Sequence, residues 1–164
     1  MRVSSCTGAI YSSPSSRRCP LLSQTAEYAL RTVLFIAQHE TEGPVRADQI
    51  ASALGIPRNY LSKTLHRLAQ EGILTSARGR GGGFVLAVPA ERLPLLTVAG
   101  LFDNLEPGRQ CLLGQPVCSD RNACEAHARW KDVSERVARF FRETMVADLL
   151  GPRGAAARRR LAAG

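Results

Sequence analysis

Apolar positions recur at helical spacing along most of this chain and change to short strand-like runs only between residues 73 and 86. Ala26, Leu30, Val33, Leu34 and Ala37 form the stripe of a first helix, with Ser23 placed to cap its start. Ile50, Ala51 and Leu54 give one face of a short second helix. Gly55 then offers the left-handed backbone that ends a helix without a Cβ penalty. Pro57 stands where a third helix should begin, its φ already set and no N–H needed. Leu61, Leu65 and Leu68 continue at spacings of four and three, the mark of one buried helical face. Gly72 stops that helix. Ile73-Leu74 and Phe84-Val85-Leu86 read as two strands, with Arg78-Gly79-Arg80-Gly81-Gly82-Gly83 at the hairpin tip. Residues 47–87 therefore predict a helix-turn-helix followed by a wing.

Beyond the wing, Pro89 to Pro94 reads as a linker. Thr97 is a candidate N-cap for a short helix through Val98, Leu101, Phe102 and Leu105, which Pro107-Gly108 would end. Trp130, Val133, Val137, Phe140, Phe141 and Met145 predict a long helix ending near Leu150. That helix has little remaining core to cover, so its apolar stripe is expected to meet another surface.

Composition adds two constraints. A hydrophobic content of 45% allows a real core, and no run approaches the length of a membrane span. The net charge of +8 suggests nucleic acid, but residues 1–20 carry +3 and 151–164 carry +4, against +2 for 21–95 and −1 for 96–150. Most of the excess lies in the tails. A DNA-binding argument must rest on the placement of individual cations. The third helix supplies such a placement, because its polar face carries Arg58, Asn59, Ser62, Lys63, His66, Arg67 and Gln70, all able to bond phosphate or base edges. Arg78 and Arg80 on a glycine-rich tip suit a narrow groove that attracts cations. Double-stranded DNA is the expected partner.

The second chemical cluster lies before the last helix. Cys111, Cys118 and Cys124 are separated by six and five residues, and His127 follows the last by three. Thiolates are soft ligands that select zinc, copper(I) or iron–sulfur clusters. The spacing fits neither the two-residue gaps usual in zinc fingers nor a bacterial-ferredoxin run. An odd cysteine count argues against a disulfide framework, while a thiol redox switch stays open. A Cys124/His127 nucleophilic enzyme finds no oxyanion loop or orienting carboxylate, so no enzymatic activity is expected.

Ile50-Ala51, Leu54-Gly55-Ile56, Tyr60-Leu61, Lys63, Leu65, Arg67-Leu68, Gly72-Ile73-Leu74 and Arg78-Gly79 to Gly81-Gly82-Gly83-Phe84, with the later cysteines, resemble the Rrf-type winged-helix regulators. That family includes iron–sulfur sensors of the IscR and NsrR type, and the likeness covers about residues 20 to 150. The resemblance implies a bacterial, cytoplasmic, homodimeric transcription regulator, usually a repressor, acting on a palindromic operator. It implies a 2Fe–2S or 4Fe–4S cluster held by Cys111, Cys118 and Cys124, with a fourth ligand that differs between members. His127 stands where IscR-like proteins have a ligating histidine. Glu27 aligns with an aspartate that, in NsrR-like proteins, ligates the partner subunit's cluster, and with Arg58-Asn59 and Lys63 it favours nitric oxide over redox or iron status as the signal. Glu27 also lies in the first turn of a helix, where a carboxylate is commonly a dipole partner.

The expected fold is mainly α with a small β wing: a winged helix-turn-helix plus a long C-terminal dimerisation helix. Residues 1–20 form a serine-rich extension, disordered or the product of an upstream start codon, with no secretory h-region and with Cys6 and Cys19 incidental. Residues 21–95 form the DNA-binding domain, 96–150 the cluster loop and dimerisation helix, and 151–164 a disordered basic tail. A cluster-free thiol-switch regulator and an iron–sulfur electron carrier are the alternative readings.

Overall fold

The first helix, α1 (Gln24–Gln38), starts at Ser23, whose Oγ accepts the N–H of Ala26 at 3.2 Å. The computed structural model describes residues 21–77, 79, 81–106, 111–113 and 119–151. The segment 1–20, Arg78, Arg80, Pro107-Gly108, Cys118 and the tail beyond Gly151 lie outside these residues. The buried face of α1 is Ala26, Ala29, Thr32, Val33, Ile36 and Ala37, while Leu30 and Leu34 are only half-buried at its edge. The stripe is rotated from the expected one because α1 is covered from two sides, by α3 (Arg58–Gln70) and by α4 (Leu95–Ala99).

The helix-turn-helix forms as the sequence predicts. α2 (Ala47–Leu54) buries Ile50, Ala51 and Leu54 and ends at Gly55 in the left-handed region, φ 63°. α3 buries Leu61, Thr64, Leu65 and Leu68. Each buried leucine contributes roughly 1.5–3 kcal/mol of transfer free energy. Pro57 is the N-cap residue rather than the first helical one, at φ −57° and ψ 133°. Its carbonyl still accepts the Leu61 N–H at 3.0 Å.

The wing is an antiparallel hairpin of β1 (Leu74–Ala77) and β2 (Gly83–Leu86). The first strand starts one residue later than predicted, although the buried Ile73 just before it still accepts the Ala87 N–H at 3.0 Å. Val45 exchanges hydrogen bonds of 3.0 and 2.8 Å with Phe84, adding a bridge from the segment before α2. A Cβ on Gly83 would lie 2.6 Å from the Val45 oxygen, so glycine there serves this backbone approach within the fold.

Three expectations change beyond the wing. The segment from Pro89 to Pro94 is no plain linker: a 3₁₀ turn at Ala90–Arg92 buries Ala90, and Leu93 is buried after it. Helix α4 is capped by Pro94, with Thr97 inside it and Leu101, Phe102 and Leu105 following in irregular chain. The last helix, α5 (His127–Glu143), ends seven residues before Leu150. The chain there leaves the helix to pair with the Leu93–Leu95 segment. Leu95 N–H donates to the Thr144 carbonyl at 2.9 Å, and Val146 N–H to the Leu93 carbonyl at 2.8 Å. Val146 and Leu150 then complete the core beneath α1. Phe141 is also buried in this chain's own core, whereas Val133 and Phe140 are 47% and 50% exposed. The expected interface stripe is therefore narrower than the sequence pattern suggests. No helix among the described residues is long and apolar enough to cross a membrane.

Candidate nucleic-acid interface and cysteine loop

Because α3 spends its apolar residues on one face, the opposite face is left polar and open. Arg58, Asn59, Ser62, Lys63, His66, Arg67 and Gln70 are all exposed, as the sequence pattern implied. Tyr60, 55% exposed beside them, was not assigned from the sequence, although an aromatic between two polar runs is the signal that marks it. Several of these groups are already engaged. Ser62 Oγ donates to the Arg58 carbonyl at 2.8 Å, which leaves its lone pairs to accept from a partner. Arg67 pairs with Glu71 at 3.0 Å, and Arg58 pairs with Asp48 in the first turn of α2. Lys63 has no ion-pair partner among the described residues. Arg78 and Arg80, the expected wing cations, lie outside those residues.

The cysteine loop meets α5 at its first turn. His127 is the first residue of the helix, and its N–H donates to the Cys124 carbonyl at 2.9 Å, which puts both residues on one turn. Its imidazole is buried, and Cys111 and Cys124 are each half-buried. His127 Nε2 donates to Asp120 Oδ1 at 2.9 Å, and Lys131 Nζ reaches both oxygens of the same carboxylate at 3.2 and 3.1 Å. The hydrogen bond from His127, followed by that from Lys131, holds the Asp120 carboxyl below its ordinary range, and Asp120 in turn raises Lys131. Sequence reasoning missed Asp120, which lies before α5 in a separate 3₁₀ turn, so that no continuous helix ties its position to that of His127. Two thiols and one imidazole suit a soft or borderline metal centre by donor chemistry. Among the described residues no three such side chains are gathered within metal-binding reach, and the third thiol, Cys118, lies outside them.

Glu27 sits one turn into α1 and pairs with Arg31 at 3.5 Å. Arg31 also donates from Nη2 to the carbonyl of Leu54, the last residue of α2, at 2.9 Å. A guanidinium at a helix C-terminus satisfies an orphan carbonyl and complements the helix dipole. The i,i+4 spacing of Glu27 and Arg31 was legible in the sequence, whereas the bond to Leu54 needs the packing of α1 against α2.

With this geometry in hand, comparison with known proteins is informative. Residues 22–152 match the family described as Rrf2, iron-dependent transcriptional regulator. The chain is 32% identical over 129 residues to the HTH-type transcriptional regulator IscR of Yersinia pseudotuberculosis, covering 79% of this chain and 78% of that one. Identity to the IscR of Xenorhabdus nematophila is 33% over 129 residues, with the same shares covered. Among solved structures, T. potens IscR aligns with a TM-score of 0.64 at 22% identity, covering 79% of this chain and 85% of that one. CymR, the global cysteine regulator of B. subtilis, aligns at 0.65 and 21% identity over 79% and 95%. At such identities these likenesses speak for the fold, a winged helix. The extended match and the IscR relatives settle membership: this chain belongs to the Rrf2 family of DNA-binding transcriptional regulators, whose members are regulators and not enzymes.

Proposed function

We propose that the chain is a homodimeric bacterial repressor, acting in the cytoplasm, whose affinity for a palindromic operator is set by an iron–sulfur cluster. Cys111, Cys118 and Cys124 hold the cluster, 2Fe–2S or 4Fe–4S, with His127 or Glu27 of a second copy as fourth ligand. The observation that carries this reading is the turn entering α5, where the His127 N–H bonds the Cys124 carbonyl and so ties the cysteine loop to a helix whose far end, through Phe141, belongs to the same core as α1 and α3.

When bound, the cluster supplies an iron centre that nitric oxide, oxidants or iron shortage can disrupt. Everything else is done by the chain. Cys111 and Cys124 bracket the loop, so holding both fixes how the chain enters α5. That helix packs on α4, and α4 packs on α1. Arg31 links Glu27 to the carbonyl that ends α2, one residue before the left-handed turn leading to α3. Restraint at the loop or at Glu27 therefore bears on the spacing of two recognition helices, and base contacts fall to Asn59 and Ser62. A hundredfold change in operator affinity needs only about 2.7 kcal/mol of differential stabilisation.

Anaerobic purification tests this directly. Iron and acid-labile sulfide should co-purify, and each of Cys111→Ala, Cys118→Ala and Cys124→Ala should reduce both to background. Holo protein should bind a duplex selected from a random pool at least tenfold more tightly than apo protein. His127→Ala and Glu27→Ala identify the fourth ligand by which of them shifts the visible absorption. Iron-free protein whose binding responds to oxidants through the same cysteines would replace the cluster with a thiol switch.

A further inference from the structure

Asp48 occupies an unusual position for a carboxylate in a DNA-binding unit. It lies in the first turn of α2, yet its side chain reaches across the helix-turn-helix to Arg58, the first residue of α3. Arg46, just before α2, stands 3.9 Å from the other oxygen of the same carboxylate. We infer that Asp48 is a specificity-determining residue: its ion pair competes with arbitrary phosphates for Arg58 and yields more readily on a duplex whose bases fit α3.

Exposure sets the strength of this restraint. The Arg58 and Asp48 side chains are 71% and 53% exposed, and an ion pair in such surroundings is weak and easily exchanged. It competes with phosphate without locking the arginine away. Sequence-independent DNA affinity comes from cations that neutralise phosphates and release counterions. On α3, Arg58 is held by Asp48 and Arg67 by Glu71, so Lys63 alone of its lysine and arginine residues has no ion pair among the described residues. Holding Arg58 in this pair lowers non-specific binding, which is what a regulator facing a vast excess of wrong sites must suppress. An acidic residue in a first helical turn also stabilises its helix. That role would appear in melting temperature and leave the salt dependence of DNA binding unmoved.

The test uses the full chain and fluorescence anisotropy on two duplexes over a series of salt concentrations. One duplex is the tightest ligand recovered from a random pool with wild-type protein, and the other is a GC-rich duplex of equal length lacking that sequence. Asp48→Asn should raise affinity for the GC-rich duplex three- to tenfold at low salt and steepen its slope of log K against log salt by about one. The selected duplex should gain less, so the specificity ratio falls. Asp48→Glu should behave as wild type, and the gain should vanish in Asp48→Asn/Arg58→Gln. Should Asp48→Asn melt too low to measure, Asp48→Ser gives the same readout. Unchanged slopes, or weaker binding to both duplexes, would overturn the assignment, as would a gain that persists without Arg58. The inference rests on α3 being the DNA-binding face. A Lys63→Gln slope equal to wild type would defeat that reading separately.

Discussion

Two amphipathic helices divide this molecule, and they leave opposite things exposed. α3 uses Leu61, Thr64, Leu65 and Leu68 to close its own core and presents polar side chains and Tyr60 to solvent. α5 is longer, yet it buries only His127, Ala138 and Phe141 and leaves Val133 and Phe140 half exposed. A helix whose apolar residues are all satisfied at home has only hydrogen bonds and charge to offer a partner. One whose apolar residues are not satisfied has surface to offer another protein. The first fits a hydrated, anionic ligand, and the second fits a second copy of the chain.

The adjacent pair Phe140 and Phe141 sharpens that contrast most, with the largest expected effect. Their rings lie 5.4 Å apart, edge to face, but on opposite sides of the division. Phe141→Ala should cost about 3–5 kcal/mol of folding stability, the usual result of emptying an aromatic site in a core. Phe140→Asp should leave the melting temperature nearly unchanged and weaken self-association by several kcal/mol, because a charge would enter a dry contact. Thermal melts and sedimentation separate the two. A Phe140→Asp chain that remains dimeric would place the dimer contact elsewhere.

Smaller effects are expected across α3. Lys63→Gln should weaken binding to all duplexes alike and reduce the salt slope by about one, since it removes one phosphate-directed cation. Asn59→Ala should leave the slope intact and cost about 1–3 kcal/mol at one base position only. Affinity measured against single-position variants of the selected duplex distinguishes them. If Asn59→Ala lowers affinity uniformly, Asn59 contacts backbone and base reading falls to other residues of the face.

What could be read from the sequence follows the range of the forces involved. The turn from α2 to α3 was legible because Leu54-Gly55, Pro57 and the leucine spacing act within one or two helical turns. Elements fixed by distant partners were not. α5 stops at Glu143 since Thr144 and Val146 hydrogen-bond to Leu95 and Leu93, fifty residues upstream, and no local signal announces that pairing. Thr97 resembles an N-cap, yet Pro94 starts the helix, because the same pairing sets where the chain turns. The glycine run of the wing suggested close approach to a groove, while Gly83 makes its close approach to Val45. Within the candidate sites, residue types and spacing exposed Lys63, the cysteines and His127. Asp48 and Asp120 escaped notice since their partners meet them only through tertiary packing.

The smallest expected effect belongs to Thr32, at the junction of the two regions. It lies on α1, which packs on both α3 and α4, and its side chain is fully buried. Its Oγ1 has no hydrogen-bond partner among the described residues. A buried hydroxyl without a partner loses its hydration for nothing in return, which costs about 1–3 kcal/mol. Valine has nearly the same shape and a comparable helix propensity. Thr32→Val should therefore stabilise the chain by about 1 kcal/mol, raising the melting temperature by roughly 2–4 °C for a chain of this size. A purely structural defect would be relieved with no effect on DNA binding. If α1 moves between the states of the regulator, the hydroxyl gains a partner in the other state, and Thr32→Val would then bias that equilibrium. Melting temperature and the ratio of holo to apo operator affinity, measured on the same variant, tell these apart. A rise in the first with the second unchanged keeps α1 as a fixed support on which the two helices act independently. A change in the ratio makes α1 the connection between them.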